Sequence, residues 1–453
     1  MRSLGIWVKG FKGILILGIT LGLCISGGGM KKAMASQDQG VVTVLTLEDA
    51  LKIALEKNRD IQKAREYRNQ VEGRYLEERA AALPNFLISV ELSKSRDESQ
   101  KAFGFGFPLD RETRSAQVGV SQVLYAFGAV GAAIKAAKVG ISTADDQLKI
   151  YRQAALRDVT ASFNDVLLVK EVHTLAKENL EQKTRHLEEA RRKYAAGVAT
   201  DYDVLASEVA VENARPDVIR AANLIQISLE KLRFLLGMDG KAMDVKGKLE
   251  ASIAPYPIYE EALAVGRNNR PDLVDLRHRM QMAEELVTIA KATDKPRLDL
   301  RAGFGWQELA LDKSSGDGQV WMGGLFLTYP IFDGFRAKGK VIQAKSNVTT
   351  LAIEEAKLLD GIALQTREAV NAVREAGEVV KALSGTVTQA ERLLTMAEKG
   401  YEYGVKTKLE VDDAQLNLTL ARSNLARARR DYLVALATLE WVMGTIDFPS
   451  AGK

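Results

Sequence analysis

The sequence predicts a mainly α-helical protein with a smaller β component of the membrane type, built from two tandem repeats. Three observations support this prediction. Two segments alternate apolar and polar residues as strands do, and two proline-free segments, 132–194 and 336–401, are long enough to form very long helices. One short turn, with a Gly-Val pair at its centre, occurs in both halves of the chain.

The repeat is visible as a constant spacing between matched segments. "YAAGVATDYDVL" at residue 194 and "YEYGVKTKLEV" at residue 401 share Tyr, Gly-Val, Thr and Val, 207 residues apart. "EDALKIALEKNRDI" (48–61) also resembles "YEEALAVGRNNRPDL" (259–273), and Gly237 matches Gly444. Separate matches that hold register over so long a distance indicate an internal duplication. We therefore predict a first repeat at 36–239, a linker at 240–258, a second repeat at 259–446 and a tail at 447–453.

Each repeat contains a predicted strand pair, at about 85–126 and about 297–331. In 297–306, apolar residues at even positions alternate with charged residues and glycines at odd positions. Such alternation is typical of a half-buried strand and equally of a membrane barrel strand between lipid and water. The polar segments 93–114 and 309–320 are predicted to be hairpin loops.

The long helices are predicted to pack side by side. Apolar residues recur every seven positions, which predicts left-handed coiled packing. The helices that follow the turns, about 201–236 and 408–443, would supply the partners as antiparallel hairpins, and Pro216 should kink the first. The heptad positions are Leu180, Leu187 and Tyr194, then Val373, Val380, Val387, Leu394 and Tyr401.

The N-terminus predicts export. Residues 1–35 combine a basic start, an apolar segment too short to span a bilayer comfortably and a small-residue cleavage site, as a signal peptide does. Cys24 could alternatively carry a lipid, although Leu23 before it is not the small residue that such a site needs. The formal charge of +4 becomes −1 once the five basic residues of this acid-free segment are set aside, which argues against a nucleic-acid partner.

The order of these features resembles the TolC-like outer-membrane efflux protein family over residues 45–446. The resemblance is carried by "LTLEDALKIALEKN", "YPIFDGFRAKGKV" and the two Gly-Val turns. It implies a homotrimer in which each protomer gives four strands to a twelve-stranded outer-membrane β-barrel, continued by a periplasmic α-helical barrel. It also implies an exit duct in outer-membrane lipid that works with a periplasmic adaptor (membrane fusion protein) and an inner-membrane transporter, without enzymatic chemistry or cofactor. The alternative is a periplasmic coiled-coil adaptor or scaffold that forms no pore.

The repeated turn has a structural and a functional interpretation. Structurally, Gly197 and Gly404 can end a helix in the left-handed conformation, and Thr200 and Thr407 suit the N-cap of the next helix. Asp203 and Glu410, three residues after these threonines, would complete capping boxes.

Functionally, the resemblance implies that the turns form a gated periplasmic tip. Glu410 and Asp413 match the family's gate acids, and Asp203, Tyr401 and Lys406 match residues that tie the gate. Asp413 has no capping duty and is favoured as the primary acid, while Asp412 is expected to turn away. The hairpin tips that would dock the adaptor comprise Gly197, Val198, Thr200, Gly404, Val405 and Thr407.

Other candidate sites are weaker. Trp306, Trp321 and Tyr329 could form a membrane-interface aromatic belt or could simply pack in the barrel. His173, His186 and His278 lack neighbours at metal-ligand spacing, so no metal site is predicted. The "DKSSGDG" segment (312–318) lacks the closing glutamate of a calcium loop, and "GFGFP" (104–108) lacks the context of a nucleotide site.

Overall fold

The computed structural model describes residues 43–98, 109–238, 240, 242–250, 252–253, 255–311 and 314–448. All of them belong to one unit, Val42–Lys453. The predictions for the signal peptide, Cys24 and "GFGFP" concern residues outside this description. No helix in the described part of the chain is long and apolar enough to cross a bilayer.

The two halves of the chain repeat one order of elements. The first half contains β1 (Thr43–Leu45), α1 (Leu47–Lys57), α2 (Arg59–Ala80), β2 (Asn85–Asp97), β3 (Leu109–Tyr125), α3 (Ala129–Ala195) and α4 (Asp201–Leu236). The second half contains β4 (Met243–Val245), α5 (Tyr259–Asn269), α6 (Pro271–Lys291), β5 (Arg297–Leu311), β6 (Ser314–Thr328), α7 (Arg336–Glu402) and α8 (Lys408–Val442).

The four long strands form one antiparallel sheet in the order β2-β3-β5-β6. The two repeats meet at the β3–β5 pair, which runs from Arg111 opposite Leu311 to Tyr125 opposite Leu298. β2 and β6 are the edges of this sheet, so each has one side without a strand partner among the described residues. A separate parallel pair, β1 with β4, lies beside the largest buried apolar cluster.

The strands extend further than the alternation predicts. β2 continues to Asp97 and β5 to Leu311, while β6 begins at Ser314, so most of the segments assigned to loops belong to the sheet. For the described residues 93–97, 109–114, 309–311 and 314–320 that prediction was wrong, because main-chain pairing needs no apolar side chain. In these polar rows, ion pairs such as Arg114 with Glu308 link neighbouring strands instead.

Two helical hairpins, α3 with α4 and α7 with α8, contain most of the helical residues of the chain. α3 and α7 each contain 67 residues, which corresponds to about 100 Å of helix. α3 packs on α4, α7 packs on α8, and α8 also packs against α3, which joins the two hairpins. Pro216 lies inside α4, which is assigned as one continuous helix.

The heptad prediction is confirmed for most of its length and wrong at one end. Leu187, Val373 and Val380 are buried as predicted. Tyr194 is instead 50% exposed, so the stripe of the first hairpin ends before it. The equivalent Tyr401 is half-buried, because Lys193 of α3 lies over its ring.

The two repeats also share equivalent contacts at the end of each hairpin that lies away from its Gly-Val turn. Gly237, which follows α4, and Gly444, which follows α8, both have left-handed φ angles, +64° and +69°. A Cβ on Gly237 would lie 2.2 Å from the carbonyl oxygen of Lys57, and one on Gly444 would lie 2.8 Å from the carbonyl carbon of Asn269. Each hairpin therefore ends against the short helix that begins its own repeat.

The connection from the last strand to the long helix has a similar backbone conformation in both repeats. Phe127 and Gly128 precede α3, and Gly334 and Phe335 precede α7, all with positive φ. The corner thus needs two consecutive left-handed residues, and the repeats supply the phenylalanine and the glycine in opposite order. This conformation is strained for phenylalanine, and each ring packs edge-on against another aromatic ring.

Candidate tunnel tip and membrane sheet

The two Gly-Val turns have the same backbone. Gly197 and Gly404 each have φ +73°, as predicted for a left-handed helix end. After α3, the amide of Val198 donates to the carbonyl of Lys193 at 2.9 Å; after α7, the amide of Val405 donates to the carbonyl of Gly400 at 2.8 Å. The valines are exposed, 74% for Val198 and 78% for Val405. Each hairpin therefore presents an exposed valine at its end.

Capping boxes begin the second helix of each hairpin. The amide of Thr200 donates to the Asp203 carboxylate at 2.9 Å, and the amide of Asp203 donates to the Thr200 hydroxyl at 3.3 Å. Thr407 and Glu410 repeat this exchange at 2.8 and 3.3 Å. The predicted caps are confirmed, and the aspartate completes its box as fully as the glutamate does.

Glu410 is engaged on both of its carboxylate oxygens. Oε1 accepts a hydrogen bond from Lys406 Nζ at 2.5 Å, and Oε2 accepts from the Thr407 amide. These bonds lower the pKa of Glu410 to about 2, and the bond from Lys406 contributes most. The turn therefore holds this carboxylate charged and folded back on its own helix.

Asp413 differs from the acids around it. It is exposed, and among the described residues its side chain has no hydrogen-bond or ion-pair partner. Asp412 is half-buried and borders a cavity of about 320 Å³ between the hairpins, together with Tyr202 of α4 and Lys183 of α3. Of the acids in the first turns of α8, Asp413 is thus the exposed one without a described hydrogen bond or ion pair.

Tyr401 of the second hairpin is bonded to a lysine of the first. Its hydroxyl accepts a hydrogen bond from Lys193 Nζ at 3.2 Å, and the same ammonium lies 4.9 Å from the centre of its ring. Lys193 is also paired with Glu189 at 2.7 Å. Asp203 lines the same small cavity as Tyr401, but its carboxylate is used by Thr200.

The three histidines lie on helices, as expected. His186 of α3 is half-buried between the hairpins, where burial lowers its pKa. His278 of α6 is hydrogen-bonded through Nδ1 to the buried carboxylate of Asp146 at 2.6 Å. That pair joins α6 to α3 and lies outside the tip.

The four-stranded sheet has two chemically different faces. Ile88, Val118, Phe304 and Trp321 form one ladder row across the four strands, and Ser89, Gln117, Gly305 and Val320 form the next row on the opposite face. On β2 the residues of the apolar face are strongly exposed: Phe86, Ile88, Val90 and Leu92 range from 69% to 77%. Such a face needs an apolar environment, whereas the opposite face suits water.

Charged residues end the apolar face. Beyond the row of Trp306 come Arg114, Glu308 and Asp317, and the indole of Trp306 donates to Asp317 at 3.1 Å. Tyr329 follows β6 at the opposite end of the sheet and is 58% exposed. Trp321, 77% exposed, lies two ladder rows further from the charged end than Trp306, on the same face.

Comparison with known proteins identifies this architecture. The model of the family described as "Outer membrane efflux protein" matches residues 36–238 and 263–445, which together make up most of the chain. The chain belongs to the outer membrane efflux protein family. It is accordingly an outer-membrane channel protein of efflux and secretion systems, with its helical part in the periplasm.

Individual relatives are similar over most of their length. The alkaline protease secretion protein AprF of Pseudomonas aeruginosa is 25% identical over 386 residues, covering 82% of this chain and 78% of that protein. Outer membrane protein TolC of Vibrio cholerae is 21% identical over 373 residues, covering 81% and 83%. The crystal structure of the Campylobacter jejuni CmeC outer membrane channel superposes with a TM-score of 0.78 at 18% identity, covering 89% and 87%.

Sequence reasoning missed the residues that join the two hairpins at this efflux protein's tip. These include Lys193 and also Lys408, whose Nζ donates to the buried hydroxyl of Ser207 on α4 at 2.8 Å. A signal was present in the duplication: Lys193 stands where the second repeat has Gly400, and Lys408 stands where the first has Asp201.

Proposed function

We propose that three copies of the chain form one tunnel, with a shared twelve-stranded barrel in the outer membrane and a helical barrel in the periplasm. The observation that carries this proposal is the sheet with one apolar face and two open edges. Four strands are too few to close around a lumen, and an open edge is not tolerated in lipid. Pairing β6 of one copy with β2 of the next closes the barrel with the apolar face outward.

The same argument applies to the helices. α4 and α7 are the outer members of the row α4-α3-α8-α7. Each carries exposed apolar side chains, including Ile219 and Ile227 on α4 and Leu393 and Met396 on α7. Contact between α7 of one copy and α4 of the next would cover them.

The gate is proposed to lie at the hairpin tips, with Asp413 as its main acid. Three exposed Asp413 side chains would form a ring that attracts cations and repels itself. Glu410 contributes charge but is held by Lys406, so its part is secondary. Asp203 and Lys406 act by ordering the turns, and Tyr401 by holding the hairpins together.

The tips are also proposed to dock a periplasmic adaptor, which would connect the tunnel to an inner-membrane transporter. The exposed Val198 and Val405 are the apolar contacts that such a partner would cover. Gly197 and Gly404 set the turn, and Thr200 and Thr407 fix the helix that follows. At the membrane, Trp306 and Tyr329 would mark the two boundaries, with Trp321 two ladder rows inside the boundary at Trp306.

Single-channel recording in planar bilayers tests this proposal. The purified protein should form cation-selective channels, and Asp413→Asn should reduce the cation preference by a factor of roughly two to five, the scale of one nearby charge in water. Asp412→Asn is the matched control, because Asp412 faces the inter-hairpin cavity, and it should change selectivity little. Absence of any conductance would contradict the tunnel; equal effects of the two variants would contradict the gate assignment.

A further inference from the structure

The connection from β6 to α7 carries a group of exposed apolar side chains. Leu327, near the end of β6, belongs to the apolar face of the sheet and is 69% exposed. Four more follow it and are between 58% and 92% exposed: Tyr329, Ile331, Phe332 and Phe335. The apolar face of the sheet therefore continues beyond the last strand pair to the start of α7.

The connection from β3 to α3 is similar. Tyr125 lies opposite Leu298 in the ladder, and therefore on the same apolar face as Leu327. The ring of Phe127 packs edge-on against Tyr125, with ring centres 5.0 Å apart, and both rings are exposed. We call residues 125–138 and 329–345, which include the first turns of α3 and α7, the sheet-to-helix connections.

The two long helices begin without acidic residues. Of the eight helices in the described part of the chain, six have an aspartate or glutamate in the first turn, whereas α3 and α7 have none. No acid precedes Asp145 in α3 or Glu354 in α7, but six basic residues do. They are Lys135 and Lys138 of α3, and Arg336, Lys338, Lys340 and Lys345 of α7.

Contacts within the chain do not explain this positive charge. The N-terminus of a helix is the positive end of its dipole, so Arg336 and Lys338 in the first turn disfavour α7. All six basic side chains are exposed, and among the described residues none has a hydrogen-bond or ion-pair partner. Asp333, the acid nearest to them in sequence, accepts a hydrogen bond from the Ala337 amide at 2.8 Å. Its carboxylate is therefore engaged by the start of α7.

The neighbouring helix ends do not neutralise the charge either. α2 and α6 pack on α3, and α6 also packs on α7. The last turns of α2 are balanced, with Arg74, Glu77, Glu78 and Arg79. After α6, Asp294 pairs with Lys295 at 3.3 Å, while Lys291 adds one more positive charge. This end of the helical wall is therefore basic and suits an anionic partner.

The depth of the basic residues matches a lipid headgroup layer. At 1.5 Å per residue, Lys340 lies about 6 Å and Lys345 about 14 Å along α7 from Arg336, which directly follows the exposed Phe335. The headgroup layer is roughly 5–8 Å deep on each side of the hydrocarbon. Its charge acts over about a further 8 Å at physiological ionic strength. The basic residues thus lie within reach of anionic headgroups.

Two pairs of these side chains lie on opposite faces of α7. With 3.6 residues per turn, Arg336 and Lys340 are about 40° apart, and Lys338 and Lys345 lie about 180° from them. Ala337, which is buried, lies between the two faces on the packed side of the helix. Because a helix in a tunnel wall has one face towards the lumen and one towards the outside, one of the two pairs faces outside.

We propose that the sheet-to-helix connections bind anionic phospholipid headgroups of the periplasmic leaflet of the outer membrane. The apolar side chains enter the acyl boundary, and the outward basic side chains bind the phosphates. This inference rests on the proposed barrel, and it names a partner that fixes the depth of that barrel in the membrane.

Native mass spectrometry of the detergent-purified oligomer tests the lipid preference. In dilute ammonium acetate, the wild type should retain added phosphatidylglycerol in preference to phosphatidylcholine, and the preference should decline as the salt concentration rises. Absence of this preference, or a preference that does not depend on salt, would overturn the inference whatever the variants show.

Glutamine variants locate the headgroup contacts. Arg336→Gln/Lys340→Gln and Lys338→Gln/Lys345→Gln each remove one pair of charges from α7. One of the two variants should lower the preference for phosphatidylglycerol roughly twentyfold, because each basic residue near an anionic surface contributes about fivefold. The other variant, whose pair faces the lumen, should change the preference little.

The matched control is Lys357→Gln/Lys381→Gln. These lysines are also exposed and without a described partner on α7, but they lie further from the sheet. The control should keep the wild-type preference. Equal losses in both pair variants, a loss as large in the control, or no loss in either pair would refute headgroup binding. If such variants still conduct, the tunnel proposal stands; absence of conductance in the wild type would instead contradict the tunnel.

A photo-cross-linker identifies what covers the apolar side chains. In isolated outer membranes, p-benzoylphenylalanine in place of Ile331 should form adducts with phospholipid. The same group in place of Leu364, which is 59% exposed further along α7, should form none. The alternative occupant is a neighbouring copy, whose α2 and following turn expose Leu76 and Leu83. Covalent dimers without lipid adducts at position 331 would assign the connection to that copy and overturn the lipid contact.

Discussion

At the residue scale, two titratable groups of the tip differ in their response to mild acid: Glu410 should stay charged, whereas His186 should become protonated. The pKa of Glu410 is lowered to about 2, so its charged carboxylate stabilises the folded turn. This stabilisation is fully present at pH values above the ordinary glutamate pKa of 4.5. That contribution is lost only as the pH falls from there towards about 2. Around neutrality, therefore, the second turn keeps its cap and its pair with Lys406.

His186 should make the tip sensitive to mild acid. Burial lowers its pKa, so the folded tip binds a proton less readily than the separated hairpins do, and stability falls as the pH drops below the ordinary histidine value of about 6.5. Neighbouring charges act in both directions but burial is the larger cause. The charged and titratable groups around it are Lys183, Glu189 and Lys193 of α3, Tyr202 and Asp203 of α4, Tyr401 of α7, and Lys408 and Asp412 of α8.

We expect His186→Leu to flatten this pH dependence. Hydrogen exchange of peptides that contain the two turns, corrected for intrinsic rates, should show several-fold faster opening at about pH 5.5 than at about pH 7.5 in the wild type. In the variant the two pH values should give nearly the same protection. His173→Leu, a change further up the same helix, serves as the control; an equal pH response in all three proteins would exclude His186 as its source.

At the element scale, the ends of the helices were more predictable than their cross-contacts. The turns at Gly197 and Gly404 could be predicted because helix capping depends on residues close in sequence, and the same capping residues occur in both repeats. The full extent of β2 and β5 could not be predicted from the sequence. Their polar ends pair through main-chain hydrogen bonds, which require no alternation of apolar residues. The bond from Lys193 to Tyr401 joins residues 208 positions apart, and nothing local to either residue indicates it.

The matched glycines that follow the hairpins give a graded prediction. Gly237→Ala forces a left-handed alanine, at about 1–2 kcal/mol, and also drives its Cβ into the Lys57 carbonyl. Gly197→Ala has the same backbone cost, but nothing lies within 4 Å of the added Cβ. We therefore expect a clearly larger fall in the melting temperature of the assembled protein for Gly237→Ala than for Gly197→Ala. Gly444→Ala should resemble Gly237→Ala, and equal losses at positions 197 and 237 would contradict the close packing of the hairpin end on α1.

At the scale of the whole molecule, one chain leaves its main surfaces incomplete. The sheet has two open edges, its apolar face is exposed, and the outer helices of the row carry uncovered apolar side chains. The proposed assembly in the membrane would resolve these together, because closing the barrel would turn every apolar face outward. The alternation of 297–306 predicted the two faces. The sequence could not say which strands pair, because the order of the sheet depends on the two repeats meeting at β3 and β5.

Opposite faces of β2 allow a direct test of this orientation. Ile88 lies in a middle row of the apolar face, and Ser89 is its neighbour on the other face. Ile88→Arg places a charge in lipid two ladder rows inside the boundary that Trp306 would mark, at up to about 2–4 kcal/mol in each copy, whereas Ser89→Arg places the same charge in the aqueous lumen. In isolated outer membranes, heat-modifiable oligomers should be lost or strongly reduced for Ile88→Arg and retained for Ser89→Arg. The reverse order would mean that the barrel closes with its apolar face inward, and equal retention would mean that this face does not meet lipid.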